Sequence, residues 1–445
     1  DNNGYITYSD FQGFDKQKSK ALSINSKLKL DNKTYTIISS YSDNIMHYSY
    51  DGDWGNLSYW NEVYGYNENY IWYFGPYDFK DITNRRRISS SYEFRSKFNL
   101  KNNILSFGIY YSDIKEIDSR NGWLFAGYAS NINSTFRILN YAMYMKASTH
   151  INDKLLISTS IRKDINNISQ FLIFDSSSYR NDIKDKNLVG GSIDLSYKIN
   201  EYLFFNSILS RGYKTSGINQ TQSPFLSEKF RVYNTEYSNN IEFGITFNSI
   251  KHSLRMNTFY MHRFNPQLRL SYQIDPQDPT SFDYATFNAN SAYHYGLEIR
   301  LSNYLSEKII LSQSLSSLNT YVSTFKYRGL TYGNREVAHA PKNKYNITIT
   351  NYIFKNLIFE IESNYIDSFY YEEQNDEKSK SYNLINMSIR YTYKNYEISF
   401  WSRNIQNIKY PIRGYKFALD PTYEVKSYQS FGEPRIIGIT LNLLF

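Results

Sequence analysis

Cysteine is absent from the 445 residues, which excludes a disulfide framework, a thiolate zinc site and a cysteine nucleophile. No run of about 18 apolar residues is present, so no segment reads as a membrane-crossing helix. Mean hydropathy is −0.58. The net charge of +8 is scattered, and its longest basic run is Arg85-Arg86-Arg87, so the chain lacks the stripe of a nucleic-acid binder. The six histidines (47, 150, 252, 262, 294, 339) are dispersed and form no H-E-x-x-H or i, i+4 pair. Leu188-Val189-Gly190-Gly191 starts a strand rather than opening a helix, which removes the nucleotide-loop reading. No repeated blade signature supports a propeller. Neither a catalytic constellation nor a cofactor site emerges, and the reading is not an enzyme.

What the chain has is aromatic. Tyr 46, Phe 29 and Trp 5 make up 18% of it, and tyrosine suits a membrane–water boundary. Its last residues are equally telling. Ile437, Ile439, Leu441, Leu443 and Phe445 alternate with Gly438, Thr440 and Asn442, the period of a half-buried strand. Outer-membrane β-barrels commonly finish on such a strand with a terminal aromatic. Their strands need only about 9–11 residues each, and half of each strand faces a polar lumen, which reconciles low hydropathy with a membrane wall.

Short Asn-bearing turns recur at 31–33, 101–103, 152–154, 200–201, 248–249, 303–308, 355–356 and 394–395. Asparagine tolerates the left-handed backbone of tight turns. Longer, non-alternating stretches lie between them, at about 48–85, 116–134, 165–187, 214–232, 265–282, 325–337, 371–380 and 408–431. Short turns on one side and long loops on the other is the asymmetry of an outer-membrane barrel. In the strands between, charges keep to one face. Tyr396, Ile398 and Phe400 oppose Glu397, Ser399, Trp401 and Arg403, while Tyr295, Leu297, Ile299 and Leu301 oppose Gly296, Glu298 and Arg300. The expectation is an all-β transmembrane antiparallel barrel with about 17 visible strands. An odd count conflicts with closure from one chain and suggests a strand missing at the start, unless Gly4 to Phe11 supplies it.

Several segments, in order, resemble the TonB-dependent receptors, the outer-membrane active transporters of Gram-negative bacteria. Ser210-Arg211-Gly212-Tyr213-Lys214-Thr215-Ser216-Gly217-Ile218-Asn219 is similar to that family's S-R-G-Y-K-x-G-G-F-N stretch. Ile241-Glu242-Phe243-Gly244, Asn288-Ala289 through Tyr295-Gly296-Leu297-Glu298, and Ala340-Pro341-Lys342 resemble its later strands. Glu93 with Arg95, and Gly108 to Tyr111, resemble its E-L-R and G-x-Y-Y pieces. Asn404-Ile405-Gln406-Asn407 to Tyr410, Gly432-Glu433-Pro434-Arg435 and the final strand look like its closing signature. The order runs from about residue 34 to 445.

The resemblance implies a barrel of about 22 strands filled by a globular plug. Residues 1–445 then read as one barrel domain, truncated at its N-terminus and lacking the plug. It also implies uptake of a scarce small molecule, most often a ferric siderophore or other iron chelate, energised by TonB through the missing plug. The partners are the outer-membrane bilayer, TonB and the ligand. A passive porin-like channel is the alternative. Candidate ligand residues are Trp54, Tyr59, Trp60, Tyr64, Trp72 and Tyr73 in the 48–85 loop, and Arg211, Tyr213 and Lys214 at another strand's outer end. Asp51-Gly52-Asp53-Trp54 lacks the further ligands of a calcium loop and reads as a structural element of that loop, with no metal assigned.

Overall fold

A computed structural model of the chain describes residues 6–124, 127–220, 226–327 and 329–443. Seventeen strands form one antiparallel sheet in chain order, from Asp15–Leu30 and Lys33–Asp51 to Tyr396–Arg403 and Ile436–Leu443. The first and last strands are its edges, and no pairing joins them among the described residues. Gly4 to Phe11 supplies no strand over its described part, and Phe445 lies outside the described residues. No described helix is long and apolar enough to cross a membrane.

All eight short turns sit where the sequence places them, but their chemistry differs from the expectation. At two of them the left-handed residues are Asp31 (φ 47°) and Lys394 (φ 51°) rather than the neighbouring asparagines. Asn152 and Asn200 instead act through their side chains. Asn152 Oδ1 accepts from the backbone N–H groups of Lys154 and Leu155, and Asn200 Oδ1 from those of Tyr202 and Leu203. This is the Asx-turn use of asparagine.

Register sorts the two faces. Ile37, Phe94, Ile109 and Met143 pair across four strands on the outward side, as do Ile193, Leu209, Ile241, Tyr260 and Tyr295 farther round. The inward face carries polar contacts. Glu362 accepts from Asn346 at 2.7 Å and Asn386 at 2.9 Å, and Trp401 Nε1–H donates to Thr440 Oγ1 at 3.1 Å. Gly108 is required by close packing: a Cβ there would sit 2.1 Å from the Tyr144 ring, whose hydroxyl donates to Glu93.

Most of the stretches read as irregular carry strands or helices. The 116–134 region continues the ladder through Asn103–Leu124 and Gly127–His150. The 165–187 region does the same through Leu155–Phe174 and Ser177–Lys198, which places Leu188 to Gly191 inside a strand rather than at its start. The 48–85 loop holds two short helices, Leu57–Tyr64 and Glu68–Phe74. Asn56 caps the first by accepting from the Tyr59 N–H, and Gly65 ends it at φ 69°, the usual start and stop chemistry of a helix.

Candidate functional site

The long-loop side is a packed assembly. Its first part is built on Asp51 and Asp53. Asp51 Oδ1 accepts from the N–H groups of Asp53 and Trp54, at 3.1 and 3.0 Å. Asp53 Oδ1 accepts from Gly55 N–H at 2.9 Å and Trp60 Nε1–H at 3.3 Å, and its Oδ2 accepts from Phe79 N–H at 2.8 Å. Burial, reinforced by the Asp51 charge, raises the Asp53 pKa. These bonds hold Trp54 at φ 59°, a left-handed conformation that costs a bulky residue about 1–3 kcal/mol. The carboxylates are therefore loop organisers.

Trp60, Tyr66, Tyr77 and Phe79 form a buried aromatic core beneath the two helices, joined at its edge by Tyr59, Tyr64, Ile71 and Tyr423. The Trp54 indole meets Tyr415, Phe417 and Tyr428 edge-on, at 5.9, 5.6 and 5.9 Å. These three belong to the hairpin of Pro411–Ala418 and Val425–Phe431. At the tip of that hairpin Asp420 accepts from Thr422, Lys426 and Tyr428. The Lys426 and Thr422 bonds hold its pKa below the usual range against the opposing effect of burial.

A second hairpin, Gln267–Gln273 with Phe282–Asn288, packs Leu268, Leu270, Ala285 and Phe287 against Val322, Phe325 and Tyr327. Gln273 ties it to the first hairpin by a reciprocal pair, donating to Ala418 carbonyl oxygen at 2.8 Å and accepting from Ala418 N–H at 2.9 Å. Arg335 locks the neighbouring loops. It donates to the Asn375 carbonyl at 2.6 Å, to Asp376 at 2.7 Å and to the Glu372 carbonyl.

Where these loops meet they line an open cavity of about 510 Å³. Arg269, His339 and Arg413 stand on its walls, with Tyr284 and Tyr415, and Glu372 and Glu373 lie at its buried end. The Arg269 guanidinium stacks over Tyr284 at 4.5 Å. Neither Arg269 nor Arg413 forms an ion pair among the described residues. One oxygen of Glu372, one of Glu373, Gln267 Oε1 and the Tyr371 hydroxyl are buried without a hydrogen-bond partner among the described residues. Burial pushes the Glu372 carboxyl up to about 7 and raises that of Glu373. A small molecule with an anionic edge and hydrogen-bond donors would satisfy these groups.

The nine candidate residues separate into three sets. Tyr59, Trp60 and Tyr64 share the aromatic core, in which Trp60 is 3% exposed, while Trp54 packs against the neighbouring hairpin. Trp72 and Tyr73, at 79% and 74% exposed, stack edge-on at 4.7 Å on the outer helix. Arg211 lies over the Tyr237 ring at 4.5 Å, Tyr213 donates to Asp164, and Lys214 is exposed at its strand's end. Of the cavity residues, sequence reading singled out only His339, on the long-loop side just before the Ala340-Pro341-Lys342 stretch, and it did not pick out Arg269, Tyr284, Glu372, Glu373, Arg413 or Tyr415.

A family model for the β-barrel of TonB-dependent-receptor-like proteins matches residues 1–408. The chain belongs to the TonB-dependent receptor barrels. Solved structures agree on the fold. The ferric yersiniabactin uptake receptor FyuA from Yersinia pestis superposes with a TM-score of 0.76 at 15% identity, over 96% of this chain and 61% of its own. The siderophore receptor PiuA from Acinetobacter baumannii gives 0.72 at 14% identity, over 97% of this chain and 65% of its own. The copper transporter OprC gives 0.68 at 10%, over 96% and 65%. The chain thus spans less than two thirds of the receptors it resembles.

Proposed function

We propose that this barrel is the wall and ligand mouth of an outer-membrane transporter that captures a scarce small molecule, in the first instance a ferric chelate, for TonB-energised uptake. The carrying observation is the family match over residues 1–408, joined to a cavity lined by aromatic and basic side chains at the mouth. Two of the similar receptors take ferric chelates or siderophores by name, while a third transports copper. The iron reading rests on the former. Ligand sites are concave, with a few convergent polar groups among aromatics, and the cavity between Arg269, Arg413 and Glu372 has that character. Trp72 and Tyr73 are accessible for first contact, whereas Trp60 serves by holding the loop.

The test is uptake of radiolabelled ferric chelates by iron-starved cells carrying the intact receptor, with and without TonB. Accumulation that requires both is expected. Equal accumulation without TonB would favour the passive channel, and no accumulation of any iron chelate would shift the cargo to another class.

A further inference from the structure

Side chains of opposite charge line the cavity at the mouth without meeting. Glu372 and Glu373 are 8% and 6% exposed, and the protein holds one oxygen of each carboxylate. Asn375 Nδ2 donates to Glu372 Oε2 at 2.6 Å, and the Ala338 N–H donates to Glu373 Oε1 at 2.9 Å. The other oxygen of each is buried and open among the described residues. Arg269 and Arg413 line the same cavity, and neither forms an ion pair among the described residues.

The loops that carry these charges are tied together. Gln374, beside the two acids, clasps the strand of Arg269. Its Nε2 donates to the Ser271 carbonyl oxygen at 2.7 Å, and its Oε1 accepts from the Ser271 N–H at 3.1 Å. Gly414, next to Arg413, admits the Tyr371 ring, and a Cβ there would stand 2.4 Å from it. The Tyr284 phenol, under the Arg269 guanidinium, is within reach of both signs of charge. Burial raises its pKa, Glu372 adds to the rise, and Arg269 and Arg413 oppose it.

Other buried carboxylates of the loop assembly are matched by the protein. Glu236 has Arg263 at 2.6 Å, Asp420 has Lys426 at 2.8 Å, and three N–H donors converge on Asp53. No cation is bonded to Glu372 or Glu373 among the described residues. Arg263 and Arg335 act on Glu373 only at a distance, because they are bound to Glu236 and Asp376. A buried carboxylate without a cation is costly. A hydroxyl would fill the open oxygens but leave that cost in place, whereas an ammonium group removes both.

We propose that the cavity selects a dipolar chelate, one whose periphery carries an anionic group for Arg269 and Arg413 and an ammonium group for the open oxygens of Glu372 and Glu373. The assignment rests on the mouth being a capture site for ferric chelates. It adds a cation to the recognised chemistry, and the ligand completes the charge pairing that the tied loops leave open.

The experiment is equilibrium dialysis of the intact receptor in detergent against radiolabelled ferric trihydroxamates built on one linear chelator. Its free end carries an acetyl, succinyl, glycyl or γ-glutamyl cap, which is neutral, anionic, cationic or dipolar. The γ-glutamyl complex should bind about tenfold tighter than the succinyl or the glycyl complex, equivalent to roughly 1.4 kcal/mol. This comparison needs no variant to fold. Glu372→Gln/Glu373→Gln should lower the γ-glutamyl complex to the level of the succinyl one, and Arg269→Gln/Arg413→Gln to that of the glycyl one. Equal binding of all four complexes would overturn the proposal and leave capture of ferric chelates standing. Binding of none would remove the chelate site and the proposal with it. An ammonium preference that survives Glu372→Gln/Glu373→Gln would also overturn the proposal.

Discussion

The Tyr77 hydroxyl donates to the Leu419 carbonyl oxygen at 2.6 Å, joining two loops 342 residues apart in sequence. Tyr77 is 1% exposed and Leu419 4%, so water cannot replace the bond. Burial raises the Tyr77 pKa, and the phenol remains a donor. Tyr77→Phe leaves the ring in place and a buried carbonyl unpaired, at a cost of about 1–3 kcal/mol. Amide exchange around 76–80 and 416–420 should accelerate by one to two orders of magnitude, with the barrel strands unchanged. Unchanged exchange in both loops would mean that the aromatic contacts alone hold them together.

Asp53 is a stronger node, because three donors converge on one buried carboxylate. Asp53→Ala would strand the N–H groups of Gly55 and Phe79 and the Trp60 indole, each at about 1–3 kcal/mol. Limited proteolysis should then cut within 52–78 while the strands Lys33–Asp51 and Phe79–Asn99 stay protected. Adding calcium to the unaltered receptor should not change the cleavage pattern, since the carboxylate oxygens already accept protein donors. Calcium-dependent protection would restore the metal reading of Asp51-Gly52-Asp53.

The membrane-level wall was legible because lipid on one side and a polar lumen on the other impose a strict period of two, seen in Ile437 to Leu443 and in Tyr396 to Arg403. The turns were legible because Asn152 and Asn200 satisfy backbone donors locally. Beyond the bilayer that contrast fades. In Leu155–Phe174 the inward Ile168 and Leu172 are buried under loops, while Phe171 on the outer side is exposed, so apolar residues on both faces hid the ladder's continuation. The clustered aromatics of 48–85 read as ligand candidates, and their packing into a buried loop core appears only in three dimensions. The cavity did not show, because Arg269, Glu372 and Arg413 come from separate loops and meet only through tertiary packing.

The mouth should respond to pH through Glu372. Its pKa is raised by burial to about 7, against a usual carboxylate value near 4.5. A raised folded-state pKa means that the folded loop favours the proton. The contribution is fully present below about pH 4.5 and is lost as pH climbs through about 7. Amide exchange at 369–380 in the intact receptor should therefore quicken between pH 5 and 8, beyond the intrinsic base catalysis of exchange. Glu372→Gln should flatten that excess. A variant with the same excess as the unaltered receptor would exclude Glu372 as its source.

Arg413 reaches the cavity from the 411–431 hairpin without an ion-pair partner among the described residues, so the backbone of the mouth does not depend on its charge. If an anionic chelate is held there, Arg413→Gln should raise the half-saturating chelate concentration about tenfold, equivalent to roughly 1.4 kcal/mol. The Arg269→Gln change should act in the same direction while also loosening its stack on Tyr284. Arg180→Gln, whose partner Asp182 is exposed on a distant hairpin, is the control and should have no effect. Trp72→Ala with Tyr73→Ala probes the alternative, because these exposed rings lie outside the cavity. A loss of chelate affinity in that double variant, with Arg413→Gln silent, would move capture from the cavity to the outer helix.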